Sequence, residues 1–324
     1  MPRCLVYSIL ILVLLSPTAT GQPLPVSFSQ RLDSLHKANN LEEWVYEWMD
    51  YVKEAPAERI HFLSVAESSA WRLCNNDNER LAWFYLLANI GHYQLYFGNI
   101  LGSIDGYEMA YRFYFERPIA QADVIEYVLK PLGNNYTRLG DYDRAFFIHE
   151  KSLALALSKK DSAEVAGIYN NLAICAQWKG DLQQAARYCQ MGLLQVGNNT
   201  SIHGLLLSTM SEILLQSGQN ADAAIRVGEA VSMLHGIRGK QTERNMYWLM
   251  SAYQVQGSLF KEKSDFKSAL IAYNRGLDIA DHYFKGQRKR EKEKQRTRTS
   301  SPTCLTKIAG RSAVLAPDSP SSHV

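Results

Sequence analysis

Residues of the types that carry enzymatic chemistry occur in this chain without the spacing that such chemistry needs. The sequence contains eight histidines and five cysteines, but no pair has close metal-ligand spacing such as C-x-x-C or H-E-x-x-H. It contains no G-x-S-x-G, Walker-type loop or dinucleotide fingerprint. His149 is expected to be a hydrogen-bonded histidine of the core. The sequence therefore predicts a protein that is not an enzyme, with no catalytic residue, no metal and no cofactor.

Two cysteines leave a choice between two interpretations. Cys175 and Cys189 fall on two helices that are expected to be antiparallel, so oxidation could join them in an exported protein. The other interpretation is that both are small buried thiols. The sequence favours the buried thiols and leaves the disulfide open.

The distribution of charge argues against a nucleic-acid partner. The net charge is +3, but the basic excess lies from Lys285 onward and the rest of the chain is mildly acidic. Nucleic-acid-binding domains concentrate basic residues on the folded part. We therefore expect no nucleic acid among the partners.

One pattern recurs along the middle of the chain. An apolar residue is followed by a small residue, then by a turn of the Gly-Asp type, an aromatic or aliphatic residue and another small residue. In the clearest copy, Leu132-Gly133 precedes Gly140-Asp141-Tyr142 and Ala145. The final small residue returns about every 40 residues, at Ser103, Ala145, Ala185, Ala223 and Ala269.

The residue types in this pattern fit two antiparallel helices that cross closely. Close crossing requires small side chains at the contact, which is the role expected for Gly133 opposite Ala145. Gly140 permits a left-handed backbone at the end of the first helix, and Asp141 suits the N-cap of the second helix. About five helix–turn–helix units are therefore predicted, and no stretch alternates as a strand does.

These units resemble the tetratricopeptide repeat (TPR), lengthened from its usual 34 residues, over roughly Leu81 to Phe284. The resemblance implies an all-α fold, a right-handed TPR superhelix (an α-solenoid) of antiparallel helix pairs. It also implies a scaffold that binds a protein or peptide partner. Gln256 and Gln94 depart from the repeat pattern, since they occupy a usually apolar and a usually aromatic position.

In TPR arrays the first helix of each pair lines the concave face, so its residues form the candidate peptide-binding site. The candidates in this sequence are Tyr127, Lys130, Asn134, Arg138, Asn170, Asn171, Gln177 and Trp178. Lys130, Asn134 and Asn171 resemble part of the clamp by which co-chaperone TPR domains hold a peptide carboxylate. Pro131 is expected either to kink its helix or to mark its first turn.

Two segments, 126–136 and 169–173, look more narrowly like the N-terminal TPR arrays of bacterial CHAT-domain proteins. In those proteins an exported array precedes a caspase-like domain, which the residues after Phe284 are too few to form. The resemblance implies, as an alternative function, the sensor fragment of a split or truncated CHAT peptidase. The input domain of a histidine kinase is a weaker alternative.

The beginning of the chain predicts a cleaved signal peptide. Arg3 provides a positive start, an apolar run follows from Leu5 to Leu15, and small residues end at Gly21. The apolar run is too short to span a bilayer as a helix. Cleavage near Gly21 predicts an exported bacterial protein, either periplasmic or extracellular.

These observations divide the chain into four parts. Residues 1–21 are the predicted signal peptide, 22–80 an N-terminal helical cap and 81–284 the TPR array. Residues 285–324 are predicted to be a disordered tail, basic at first and then rich in Ser, Thr and Pro. This tail is either native or the product of a frameshift or truncation. Trp44, Trp48 and Trp71 are expected to belong to the helical core of the cap.

Overall fold

The computed structural model describes residues 24–197, 200–237 and 242–281. Within these ranges the chain is helical and contains no strand. The helices are, in chain order, α1 (Val26–Lys37), α2 (Leu41–Glu54), α3 (Pro56–Arg59), α4 (His61–Ser69), α5 (Asp77–Tyr96), α6 (Ile100–Glu116), α7 (Lys130–Leu139), α8 (Tyr142–Ser158), α9 (Ser162–Lys179), α10 (Leu182–Gln195), α11 (Thr200–Gln216), α12 (Asn220–Gly236), α13 (Thr242–Glu262) and α14 over 266–281.

From α5 onward the helices form antiparallel pairs that stack on one another. The first helices of the pairs are α5, α7, α9, α11 and α13, and the second helices are α6, α8, α10, α12 and α14. From α6 to α12, each second helix packs against its own first helix and against the first helix of the next pair. This arrangement confirms the predicted α-solenoid.

The first helices form the inner layer of the stack. From α7 to α13, successive first helices pack against each other, whereas successive second helices are in at most marginal contact within the described residues. A stack whose first helices touch and whose second helices diverge curves toward the first helices. The concave surface is therefore carried by α5, α7, α9, α11 and α13.

Four helices precede the first pair. Both α2 and α4 pack against α5. The Trp44 ring lies 5.9 Å from the Trp48 ring and 5.4 Å from the Trp71 ring, each at an edge-to-face angle. Trp44 and Trp48 are buried and Trp71 packs against them, so the prediction of a tryptophan core is confirmed. Pro56 begins the short α3, where the missing N–H of proline is not needed.

A partly buried ion pair joins these helices to α5. The Arg72 guanidinium donates two parallel hydrogen bonds to the Glu79 carboxylate, at 2.7 and 2.8 Å. It also donates to the side chain and carbonyl of Asn39 and to the carbonyl of Leu73. These bonds hold the pKa of Glu79 down at about 2, since they favour the ionised carboxylate.

The turns inside the helix pairs have the predicted chemistry. The backbone is left-handed, with φ between +75° and +91°, at Gly98, Gly140, Gly180 and Gly218. The carboxylates of Asp141, Asp181 and Asp265 each accept a hydrogen bond from the backbone N–H three residues later. Glycine is needed at these turns because other residues are strained at such φ.

The crossing inside each pair depends on matched residue sizes. A Cβ atom on the glycine of the first helix would lie 2.5–2.7 Å from an aromatic ring of the second helix. The three such pairs are Gly91–Tyr107, Gly133–His149 and Gly257–Tyr273. The corresponding positions of the other units hold Ala173 with Cys189 and Ser211 with Val227, all of them buried. The nearest neighbour of Gly133 is thus the His149 ring and not Ala145, as the sequence had predicted.

His149 is buried as predicted, but the prediction that it is hydrogen-bonded was wrong. The residue is 0% exposed, and neither ring nitrogen has a hydrogen-bond partner. Its position is set by packing on Gly133, and no polar group of the described neighbours reaches the ring nitrogens. Burial lowers the pKa of His149 to about 4, so the ring is neutral at physiological pH.

The chain enters α7 through a π-helical segment, Ile125–Leu129. Its wide turn comes immediately before Lys130 and Pro131. A proline inside a helix lacks an N–H and clashes with the carbonyl four residues earlier, and a π-helical turn relieves such a clash. Pro131 therefore lies in the first turn of α7, one of the two positions that the sequence allowed.

Cys175 and Cys189 are free thiols in completely buried positions. Burial raises the pKa of both thiols, that of Cys189 to about 12. This agrees with the interpretation as buried thiols.

Among the described helices, none is long and apolar enough to cross a membrane. The predicted signal peptide (1–21) and tail (285–324) lie outside the described residues.

Candidate functional site

The candidate site lies on the inner layer, along α7 and α9. Of its eight predicted residues, the structure exposes Tyr127, Arg138 and Trp178 and half-buries Lys130, Asn134 and Asn171. Asn170 and Gln177 are buried. The solvent-facing residues follow the inward side of the two helices, because the opposite side packs against α8 and α10.

The Lys130 ammonium joins two successive first helices through carboxylates. Its Nζ lies 2.7 Å from an oxygen of Glu126, one turn earlier, and 3.0 Å from an oxygen of Glu164 on α9. Burial alone would lower the pKa of Lys130, but the bonds to these two carboxylates raise it above its ordinary value. The positive charge of Lys130 is therefore already compensated by two negative charges.

The side-chain amides of Asn134 and Asn171 form no hydrogen bond within the described part of the chain. They lie on neighbouring helices, and each is half-buried. An asparagine side chain offers two donors and an acceptor, and neither amide is among the side-chain groups that are buried without a partner, so both are accessible to solvent. The inner layer therefore presents two amides that can still receive a ligand.

A chain of hydrogen bonds underlies these amides. The Arg138 guanidinium donates to the Oδ1 of Asn135 at 3.2 Å, and the Asn135 amide donates to the Ser103 hydroxyl at 2.8 Å. The Ser103 hydroxyl donates in turn to the carbonyl of Gly91 at 2.7 Å. Arg138 is thus tied to the joint between the first two pairs, and Asn135 is a structural residue that sequence reasoning did not single out.

Asn170 and Gln177 contribute to the packing of α9 on α11. The Oδ1 of Asn170 accepts a hydrogen bond from the Thr209 hydroxyl at 2.8 Å. Gln177 lies near Glu212, but its amide nitrogen has no well-formed hydrogen bond. Burial raises the pKa of the Glu212 carboxyl, and the nearby Gln177 partly opposes that effect. Neither Asn170 nor Gln177 is open to solvent in this structure.

Two aromatic side chains lie at the ends of the candidate site. Tyr127 is 49% exposed and rests edge-to-face against Tyr85, with ring centres 5.3 Å apart. Trp178 is 50% exposed at the end of α9. Exposed aromatic rings of this kind offer apolar contact area to a ligand.

Two titratable residues of the inner layer, His92 and Glu212, were not predicted from the sequence. Each directly follows the small residue of its first helix, as Asn134 follows Gly133, so the repeat register contained the signal. His92 is accessible to solvent, yet the surrounding protein lowers its pKa. Within the described residues, no group of three or more His, Cys, Asp or Glu side chains could hold a metal ion.

The fold and this inner layer define the class of structure as an α-solenoid of TPR-like helix pairs. Two solved structures with this architecture are a tetratricopeptide repeat protein from Parabacteroides merdae and NprR in complex with its cognate peptide NprX. The first is 12% identical, with a TM-score of 0.50, and the match covers 78% of this chain and 92% of that one. The second is 12% identical, with a TM-score of 0.52, and the match covers 88% and 76%.

These similarities concern the fold alone, since sequence identities of 12% do not indicate a shared function. No protein-family profile and no curated protein matches the chain. The structural neighbours are TPR-repeat proteins.

Proposed function

We propose that this chain is a non-catalytic scaffold that binds an extended peptide or protein segment along the inner layer at α7 and α9. The observation that carries the proposal is the pair of unpaired amides, Asn134 and Asn171, on adjacent first helices. Asparagine side chains can donate to peptide carbonyls and accept from peptide N–H groups. An extended backbone lying across both helices would satisfy both amides whatever its sequence.

Side-chain preference would come from the aromatic residues. Tyr127 and Trp178 lie seven residues from Asn134 and Asn171 along the chain, and each exposes about half of its surface. Partly open aromatic rings favour apolar side chains of a ligand. The peptide complex of NprR shows that a solenoid of this fold accommodates a peptide. In the proposed complex Lys130 holds α7 and α9 in register through Glu126 and Glu164, and a peptide carboxylate would have to compete with both.

A displayed library of random peptides tests this proposal, since such a library does not require an identified ligand. Peptides enriched by the full chain would be synthesised and their affinities measured by fluorescence anisotropy. The double variant N134A/N171A should weaken binding about tenfold or more, because two hydrogen-bonding groups are lost. The control N274A removes an exposed asparagine of α14, which lies outside the site, and should bind as the unchanged protein does.

Trp178→Ala provides the second arm of the test. It should weaken peptides that carry an apolar residue and leave the far-ultraviolet circular dichroism unchanged, since Trp178 is half exposed. Enriched peptides that bind N134A/N171A and W178A with undiminished affinity would exclude this surface as the binding site.

The proposed compartment is outside the cytoplasm, on the strength of the apolar run Leu5–Leu15 and the small residues that follow. Cell fractionation and the intact mass of the mature protein test it. A mass that begins at Gln22 in the exported fraction supports cleavage near Gly21, whereas a cytoplasmic protein that retains Met1 contradicts it. The alternatives of a CHAT-peptidase sensor or a histidine-kinase input domain stay predictions from sequence.

A further inference from the structure

The last described helix, α14, exposes a face that is covered by the next pair in every earlier second helix. In α8 that face meets the next pair: the Tyr142 hydroxyl donates to the carbonyl of Trp178 at 3.0 Å, and Phe146 lies under Lys179 and beside Tyr188. The positions of Tyr142, Phe146 and Leu153 in α8 are held in α14 by Phe266, Leu270 and Leu277. They are 67%, 61% and 64% exposed.

The earlier pairs provide an internal reference for this exposure. In α6, α8, α10 and α12 all residues at the three positions are buried or half-buried. They are, position by position, Ile100, Tyr142, Leu182 and Asn220; Ile104, Phe146, Ala186 and Ala224; and Tyr111, Leu153, Leu193 and Val231. We call Phe266, Leu270 and Leu277 the stripe on α14. It is a packing surface of the repeat, since the same positions pack wherever another pair follows.

Charged residues flank this stripe in a self-complementary order. Lys267 lies near the start of α14, and Asp278 lies on the same flank about three helical turns later. Both are exposed, and neither forms an ion pair within the described residues. At the position of Lys267, α8 has Asp143, whose carboxylate lies 3.6 Å from Lys179 of the next pair. A charge at this position is therefore placed to meet whatever covers the stripe.

We propose that a second copy of this chain covers the stripe, with the two α14 helices packed antiparallel about a twofold axis. With a twofold axis perpendicular to both helices, the two helices run in opposite directions. The flank with Lys267 and Asp278 then lies on the same side of the contact in both copies. This arrangement brings Lys267 of each copy beside Asp278 of the other and seals Phe266, Leu270 and Leu277 of both copies between the helices. A parallel arrangement about an axis along the helices would instead place the two flanks on opposite sides of the contact, so Lys267 would not meet Asp278.

The expected dimer is a weak one. Two helices of this length form a small contact beside the roughly 1,200–2,000 Å² that stable interfaces bury. We therefore expect a dissociation constant on the order of 10 µM. Sedimentation equilibrium of the full chain from about 1 to 200 µM covers this range.

Two sets of variants test the arrangement. L270E/L277E should raise the dissociation constant at least about 100-fold, because it buries charge in an apolar contact. The matched control, L101E/I225E, replaces residues that are 62% and 58% exposed on other helices and should leave the dimer unchanged. K267E and D278K should each weaken the dimer about tenfold, and K267E/D278K together should restore it, since the pair is reversed and not removed.

Every outcome decides for or against the proposal. A concentration-dependent dimer that L270E/L277E abolishes and K267E/D278K preserves supports it. A monomer at all concentrations overturns it, and the stripe would then be covered by residues 282–324 or by another protein. A dimer that ignores L270E/L277E, or single charge reversals that the double variant does not rescue, also overturns it. Circular dichroism of each variant separates lost association from lost folding.

Discussion

At the scale of single residues, the partly buried Arg72 and the fully buried His149 differ in whether their polar groups have hydrogen-bond partners. All five N–H groups of Arg72 have acceptors, supplied by Glu79, Asn39 and Leu73. His149, in contrast, has no partner for either ring nitrogen among the described residues. The first arrangement stabilises the joint between the cap and α5, whereas the second is held only by the fit of a flat ring on Gly133.

The His149→Phe variant should remove a loss of stability at mildly acidic pH. The unfolded chain binds a proton at this histidine below about pH 6.5, while the folded ring stays neutral down to about pH 4. The unfolded state therefore binds more protons in this window, and stability falls as the pH falls. The free energy of unfolding should drop by about 2 kcal/mol from pH 7.5 to pH 5 through this residue.

Urea unfolding at the two pH values measures this difference. Phe is expected to fit because Tyr107 and Tyr273 occupy the corresponding positions over glycine. An unchanged pH dependence in H149F would show that other groups cause the acid sensitivity.

Arg72→Lys should destabilise the protein by about 2–4 kcal/mol at neutral pH, because lysine cannot donate the paired bonds and leaves Glu79 poorly satisfied. The control Arg112→Lys changes an exposed arginine that pairs with Glu108 and should cost no more than about 0.5 kcal/mol. Chemical denaturation of both variants compares the two. Equal effects would mean that the partly buried Arg72–Glu79 pair contributes no more than a surface pair.

At the scale of the helix pair, stability depends on matching a small residue with a large one. Gly133 can lie against the His149 ring only because it has no Cβ. The third pair has Ala173 and the smaller Cys189 at the same positions, and both are completely buried. The two facing side chains thus fill one space between the helices, so a larger side chain on one helix requires a smaller one on the other.

Gly133→Ala should destabilise the protein by about 1–3 kcal/mol, since the new methyl group would lie 2.5 Å from the His149 ring. Gly167→Ala is the matched control, because a Cβ there meets nothing within 4 Å. It should be neutral or stabilise by up to about 1 kcal/mol through higher helix propensity.

The double variant G133A/H149C copies the third pair and should recover most of the loss, as measured by thermal unfolding in a reducing buffer. A loss in G133A/H149C as large as in G133A alone would contradict the volume-sharing account.

At the scale of the whole molecule, the core is a series of adjoining clusters and not a single centre. The first cluster reaches from Leu32 to Cys175, a second from Ala166 to Ile213 and a third from Leu207 to Leu259. The first contains most of the large buried side chains and nearly all of the aromatic contacts. In a solenoid, stability is roughly the sum of the units and their interfaces.

Hydrogen exchange should therefore be graded along the chain. Backbone amides of α5 to α9 should exchange slowest and those of α14 fastest. The reason is that described residues pack against α14 on one side and leave its other side open. Mass spectrometry at about 1 µM protein, where the proposed dimer is dissociated, measures this gradient. Uniform protection from α5 to α14 would indicate a single cooperative unit.

The sequence by itself determined the repeat and the helix boundaries inside it. Gly140 and Asp141 act through local backbone geometry, which depends on neighbours in the chain and not on distant contacts. The register of small residues likewise predicted which helices cross. The same register marks the inward positions of His92 and Glu212, although neither residue was predicted from it.

Only the tertiary structure decided which polar residues of the inner layer are free. Lys130 and Asn134 look equally available in the sequence, yet Glu164, from the next unit, pairs with the first, and no side chain of the described residues bonds to the amide of the second. Such pairing depends on side chains brought together across helices, at distances that spacing in one chain does not specify. The unpaired nitrogens of His149 and the open stripe on α14 have the same cause, since each is defined by what a neighbouring helix does or does not place against it.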